Sequence, residues 1–485
     1  MKRSWLVALF VCVCVLGWLT FLKPDRPGNH LQVDRKPATA QVLLNPASPV
    51  LRVEPETVPQ AFPGETPVFE TAEARWQKPI AEEPFARFHD WANAYLAASP
   101  EKRSLLEEQG LELARERRVA LKQLIQSDPQ RALELTVPAR IREALPRSIQ
   151  DELEERVAGR GRLAVLGAVP EPGHEQEQVP IFRTATIGQR QFDAFVYGRR
   201  LDEPTRFQIP LYGIALDQQF AIDENPVRVL EPGEAVLAAA VDPICAVSGQ
   251  SAKVFNQTVI AEVAGEPVFL CQSNHVVQLN DNLTAAETGG PTPSEGDPEP
   301  SAWTEGQKSL ILIRVDFPDL QGQPFADTTG VTLISNLNVF YTEMSYGRTG
   351  FFTNGAGSDY TPTFRMPQPA AYYGTNNYYD QLRADARSAA TAAGYNMANY
   401  SRDVICMGAV PGWGWSGLGY VGAAGSWLRS SFGTGVAGHE LGHNWGLNHA
   451  NYWDTAGQST IGPGTSVEYG DSFDTMGSAS AGKTD

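Results

Sequence analysis

Residues 439–449 read His-Glu-Leu-Gly-His-Asn-Trp-Gly-Leu-Asn-His. On a helix, His439 and His443 leave the same face one turn apart. That spacing lets two imidazoles reach one Zn2+ ion at about 2.0–2.1 Å each. Glu440 sits beside the first ligand, where its carboxylate is expected to take a proton from a zinc-bound water. Gly446 falls three residues past His443. A glycine there can adopt φ > 0, stop the helix and turn the chain, bringing His449 back as a third ligand. Three neutral imidazoles leave the open position that a catalytic zinc needs and a structural zinc lacks. Such an ion lowers the pKa of its water to about 7 and polarises a carbonyl. The chemistry expected is peptide-bond hydrolysis without a covalent intermediate, Glu440 passing the proton to the leaving amine. Of the seven histidines, His30, His89, His174 and His275 lie outside this window and read as surface or internally satisfied residues.

The full pattern HExxHxxGxxH, followed by Phe473-Asp474-Thr475-Met476-Gly477, resembles the metzincin zinc peptidases. The resemblance implies an endopeptidase acting on proteins or peptides, with Met476 as an apolar floor beneath the metal. His449-Ala450, Glu468-Tyr469-Gly470-Asp471 and the stretch from Phe340 to Gly347 are most similar to the gametolysin-type peptidases and their bacterial relatives. The similarity covers about 305–485. It further implies that the glycine-rich run 417–427 holds an edge strand that pairs with bound peptide. Gly419, Tyr420, Val421 and Gly422 are then candidate substrate-binding residues, small side chains letting the peptide approach; a surface loop is the alternative. Glu468, Asp471 and Asp474 are candidates for Ca2+ or for turn caps, and Asp474 for orienting a ligand histidine. Metzincins usually continue into a helix that shapes the specificity pocket. The chain ends at Asp485, so the domain is expected to be C-terminally truncated.

The elements around the motif read as an α/β domain with a mostly parallel twisted sheet. Residues 309–317 form a strong strand and 404–407 a short buried one. Helices are expected over about 332–344 and 379–393, the latter ended by Gly394. This domain, 303–485, follows a Pro/Gly/Ser/Glu linker at 285–302. Upstream, 83–159 carries charged amphipathic helices, with Asp128-Pro129 starting one. Residues 160–284 alternate in short runs typical of a small β-rich module. Residues 24–82 read as a Pro-rich linker or stalk. The region before 303 could be a propeptide or a permanent targeting domain.

Among 485 residues, 42% are hydrophobic and 20% charged, which excludes a disordered or multispanning chain. A net charge of −17 argues against a general nucleic-acid binder, which needs a basic footprint. Met1-Lys2-Arg3 precedes an apolar run from Trp5 to Leu22, so 1–23 reads as a signal peptide or an uncleaved anchor. Either places the rest outside the cytoplasm, with membrane contact only through that segment. Cys12 and Cys14 lie in the run. Cys245 and Cys271 are expected to form a local disulfide or to stay buried thiols, unless Cys245 is a latency switch that ligates the catalytic zinc; Cys406 is left over. A non-catalytic surface-binding or adhesion protein with a structural zinc is the rival reading, but such a site has no need of Glu440.

Overall fold

A computed structural model describes residues 72–171, 180–231, 234, 244–251, 259–288, 301–457 and 462–478. The expected signal or anchor (1–23), most of the stalk and most of the 285–302 linker lie outside these residues. No helix among the described residues is long and apolar enough to cross a membrane.

The chain order begins with helices Ala72–Trp76 (α1), Glu83–Ala97 (α2), Pro100–Ser127 (α3), Pro129–Glu134 (α4), Ala139–Glu143 (α5) and Arg147–Gln150 (α6). The expected stalk boundary at 82 is therefore too late, because Trp76 is buried and its ring packs at a tilt against His89. Asp128 caps α4 by accepting from the Arg131 amide at 2.9 Å. Phe88, Trp91 and Tyr95 of α2 pack against Leu113 and Ala114 of α3.

Strand β1 follows, running from Glu155 to Pro170. It starts inside the span expected to be helical. Strands β2 (Phe182–Ile187), β3 (Arg190–Phe195), β4 (Arg206–Leu216) and β5 (Gln219–Ile222) come next. The pairings β1–β2, β2–β3, β3–β5, β5–β4 and β4–β1 close a five-stranded ring. Its interior is filled by alternate apolar residues, among them Leu163, Phe192, Leu211 and Phe220. A three-stranded antiparallel sheet of β6 (Val227–Val229), β7 (Val259–Val263) and β8 (Glu266–Leu270) then leads into helix α7 (Asn274–Thr288). The expected linker at 285–302 thus begins with the end of a helix.

The C-terminal region comprises β9 (Gly306–Lys308), β10 (Leu310–Asp316), α8 (Asp327–Met344), β11 (Thr349–Phe351), β12 (Asp359–Tyr360), β13 (Phe364–Arg365), α9 (Ala370–Thr375), α10 (Tyr379–Ala392), β14 (Arg402–Met407), β15 (Trp415–Tyr420), β16 (Ser426–Arg429), α11 (Thr434–Asn444), β17 (Tyr452–Asp454) and β18 (Thr465–Val467). Strands β12, β10, β14 and β16 are parallel, and β15 is antiparallel to β16. Helices cover both faces. Leu310 and Leu312 join Leu337 of α8 and Leu441 of α11. Ile311, Ile313 and Val315 face Leu382 and Ala386 of α10. Such two-sided burial explains why β10 opens with the apolar run Leu310–Ile313.

The regions on either side of residue 303 do not keep separate sheets. The far end of β1 leaves the ring and pairs antiparallel with β15, joining both into one sheet. Leu166 and Ala168 of β1 lie in the same core as Leu418 and Trp427. Alternating apolar residues state that a strand has a buried face, but not which neighbour covers it.

Candidate active site

Helix α11 carries His439 and His443 on one face, and both are fully buried. Gly446 has φ +100° and its amide donates to the His443 carbonyl at 2.8 Å, ending the helix and turning the chain. The turn brings His449 beside the other two. The ring centroids of His439 and His443 stand 4.8 Å apart, and those of His443 and His449 4.9 Å apart.

The outer nitrogen of each ring is tied. His439 Nδ1 donates to the Thr475 carbonyl at 2.7 Å, His443 Nδ1 to the Leu447 carbonyl at 2.7 Å, and His449 Nδ1 to Glu468 Oε1 at 2.5 Å. A carbonyl only accepts, so the proton sits on Nδ1 and the Nε2 lone pairs turn inward. All three Nε2 atoms are buried without a hydrogen-bond partner, and the ligand atoms lie within 4.8 Å of one another. Burial drives all three imidazoles toward the neutral form, taking His439 down to about 3 and His443 well below its ordinary value. For His449, burial likewise prevails over the opposing pull of Glu468. Unpartnered, converging, neutral nitrogen donors are what a zinc ion requires, and each is oriented by a hydrogen bond on its far side.

Glu440 is fully buried next to this cluster. Burial holds its carboxyl well above the usual carboxylate range; the Val169 amide offsets part of this without completing a hydrogen bond to either oxygen. Gly417 and Gly419 of β15 serve the helix more directly than a bound peptide. A Cβ on Gly417 would stand 2.3 Å from Glu440 Oε1, and one on Gly419 2.5 Å from the Glu440 carbonyl oxygen. Asn444 locks the same contact, its amide donating to the Tyr420 and Gly425 carbonyls at 3.1 Å each. Met476 is buried below α11, with Sδ 2.5 Å from where a Gly442 Cβ would be.

The edge of β15 is taken by β1. Leu166, Gly167, Ala168 and Val169 face Tyr420, Gly419, Leu418 and Gly417 in antiparallel register. Val421 donates to the Val165 carbonyl at 2.8 Å, and Ser416 Oγ to the Pro170 carbonyl at 3.0 Å. At Gly167 the strand passes the histidine cluster so closely that a Cβ would lie 2.2 Å from His443 Nε2. The Tyr469 hydroxyl donates to the Ala168 carbonyl oxygen. The Ala168–Val169 peptide bond therefore lies between a phenol on its oxygen and the Glu440 carboxyl near its nitrogen. Ion pairs Arg162–Asp380 and Arg429–Glu171 tie the strand to the C-terminal region on either side of this point.

The candidate substrate-binding residues lie at the edge that β1 takes: Gly419 also packs on α11, the Tyr420 ring is buried with its hydroxyl on Asp380, and the Val421 amide meets β1. Gly422 turns the chain at φ +74°. Asp474 does not orient a histidine; it accepts from the Met476 amide at 2.7 Å, and Glu468 takes the orienting role at His449. Glu468, Asp471 and Asp474 do not converge as Ca2+ ligands. Asp471 caps its own turn through the Phe473 amide at 2.8 Å, and neither group of converging ligands among the described residues contains these carboxylates. Cys245 is no latency switch, since its sulfur faces Cys271 and His275, and both cysteines are free thiols. Tyr469 and β1 escaped the sequence reading; their partners lie hundreds of residues away along the chain.

No family model matches the chain, and no curated protein is found to be similar to it.

Proposed function

We propose that the chain is an exported, metzincin-type zinc endopeptidase in a latent form, with β1 lying in its own peptide-binding cleft. The observation that carries this reading is the placement of the Ala168–Val169 bond beside three converging imidazoles and an unpaired carboxyl. Adding an antiparallel strand to an exposed sheet edge is a common way to hold an extended peptide. Here the added strand belongs to the same chain.

His439, His443 and His449 would hold the zinc through Nε2. When bound, zinc supplies a Lewis acid that polarises the carbonyl and lets water ionise near neutral pH. Glu440, ionised against the effect of burial by a cation bound beside it, receives the water's proton on its carboxylate and delivers it to the amine nitrogen as the C–N bond breaks. The backbone of β15 aligns the peptide, and the Tyr469 hydroxyl donates to its carbonyl oxygen, where negative charge grows. Release of β1 frees the edge for a protein substrate. The apolar run at 5–22 supports export.

A second reading has one observation in its favour. The continuity of β1 with the five-stranded ring suits permanent occlusion, leaving a surface-binding protein stapled by zinc. Hydrolysis of a casein-type substrate separates the two, measured on the parent and on Gly167→Val, whose side chain cannot fit beside His443. The peptidase reading expects activity to appear in the variant, to be abolished by phenanthroline and to return with zinc. Zinc-loaded protein that hydrolyses nothing in either form would favour the binding reading.

A further inference from the structure

Outside the cleft, Cys245, Cys271 and His275 converge in the three-stranded module. All three are buried, and their ligand atoms lie within 4.8 Å of one another. His275 Nδ1 is 3.2 Å from Cys245 Sγ and 3.3 Å from Cys271 Sγ. We propose that this trio is a second metal site, a thiolate–thiolate–imidazole clip for a soft d10 cation, Zn2+ or Cu+.

Three features support it. The first is spacing. With metal–sulfur bonds of about 2.3 Å and metal–nitrogen bonds of about 2.0–2.1 Å, a tetrahedral centre separates S from N by about 3.5 Å. Both observed separations are close to that. The second is hydrogen bonding. Cys245 Sγ faces the amides of Ser248 at 3.5 Å and Cys271 at 3.4 Å, and the Ser248 hydroxyl lies 3.5 Å from Cys271 Sγ. Donors aimed at both sulfurs suit thiolates. One Nδ1 between two sulfurs can satisfy only one of them with a proton, whereas a shared cation serves all three atoms. The far nitrogen of His275 lies 2.8 Å from the Gln272 side-chain amide, which can orient the ring once its oxygen faces the N–H.

The third feature is need. Among the described residues, the buried apolar side chains here are Val227, Ala261, Val263, Leu270 and Val276 together with the two cysteines, flanked by half-buried ones such as Val259, Val268 and Leu279. A module with so little apolar burial commonly relies on a disulfide or a metal. The cysteines are unbridged, which leaves the metal. Cys271 directly follows β8, His275 lies in the first turn of α7, and Cys245 bridges to Phe269 of β8, so the ion would fasten that helix to the hairpin of β7 and β8. Zinc and copper(I) share the preference for thiolate ligands.

The test uses the full-length chain, purified anaerobically. Metal analysis after equilibration with Zn2+ should find two ions per chain, falling to one in His439→Ala/His443→Ala and to one in Cys271→Ser. A parallel equilibration with Cu+ shows which ion the thiol site retains. Exchange into Co2+ should give a thiolate-to-cobalt charge-transfer band that survives the double histidine substitution and that the three-histidine site alone cannot produce. Because Cys271→Ser could fail to fold, the parent is also alkylated with and without chelator. Both thiols should be protected by metal and exposed by its removal. The proposal is overturned if no charge-transfer band forms, if metal leaves alkylation unchanged, or if the intact mass is lighter by two hydrogens, the mark of a disulfide.

Discussion

In the C-terminal cluster every donor is an imidazole, each Nδ1 is tied to an oxygen, and Glu440 stands alongside with neither oxygen hydrogen-bonded. In the cluster of the three-stranded module, two donors are sulfur and the converging group contains no carboxylate. Both are buried, so burial alone does not separate a reactive centre from a fastening. What separates them is an acid–base group beside the ligands and a place for a third party. The histidine cluster has both, since a strand lies across it with one peptide bond facing Tyr469 and Glu440. The thiol cluster has neither among the described residues, and its partners are amides, a hydroxyl and a side-chain amide of its own module.

Four substitutions can break or sharpen this contrast. His443→Ala, made in the Gly167→Val background, should have the largest effect. Hydrolysis falls to background and one metal equivalent is lost, while the cobalt–thiolate band of the other cluster is unchanged. Loss of that band as well would show the two clusters to be coupled. Next comes Glu468→Gln. With the anionic partner of His449 neutralised, zinc affinity at the histidine cluster should fall by about 10–100-fold in a competition titration. An unaltered affinity would remove Glu468 from the site. Gly167→Val should raise peptidase activity over the parent by at least about tenfold, equivalent to about 1.4 kcal/mol of lost strand docking. Equal or lower activity in the folded variant would mean that β1 does not guard the cleft. The smallest effect on catalysis belongs to Cys245→Ser. Its peptidase rate in the Gly167→Val background should stay within about twofold, while thermal melting drops by about 1–2 °C, the shift that about 1–2 kcal/mol gives a chain of this size. A large rate loss would make the thiol cluster part of the active site.

The legible part of the site was the part written contiguously. Residues 439–449 supply ligands, acid and turn from one helix and its exit, and local geometry alone brings them together. The second half was written elsewhere. Glu468 and Thr475, which orient His449 and His439, are set by the return of the chain after β17 and β18. Nothing in the residues 166–169 distinguishes a strand that enters a cleft from one that completes a sheet. Gly167 carries a hint only in retrospect, because a glycine amid an apolar run marks a close backbone approach. For the thiol cluster a signal existed. Cys271 and His275 have the same four-residue spacing as His439 and His443, but His275 reads by itself as one of the scattered histidines and Cys271 as half of a disulfide or a buried thiol. In the fold, β10 and β14 are readable because burial on both faces leaves short apolar runs, Leu310–Ile313 and Val404–Met407. The span of β1 is not, because its two ends serve different neighbours, β4 near Glu155 and β15 near Pro170.

The central claim is that Glu440 moves the proton for a reaction supported by three imidazoles. Glu440→Gln, made in the Gly167→Val background, measures it directly through zinc content and casein hydrolysis in one preparation. The account predicts full zinc occupancy with hydrolysis lowered by about 10²–10⁴-fold, the contribution usual for a positioned acid–base group. Hydrolysis at the Gly167→Val rate, with zinc still bound, would contradict it.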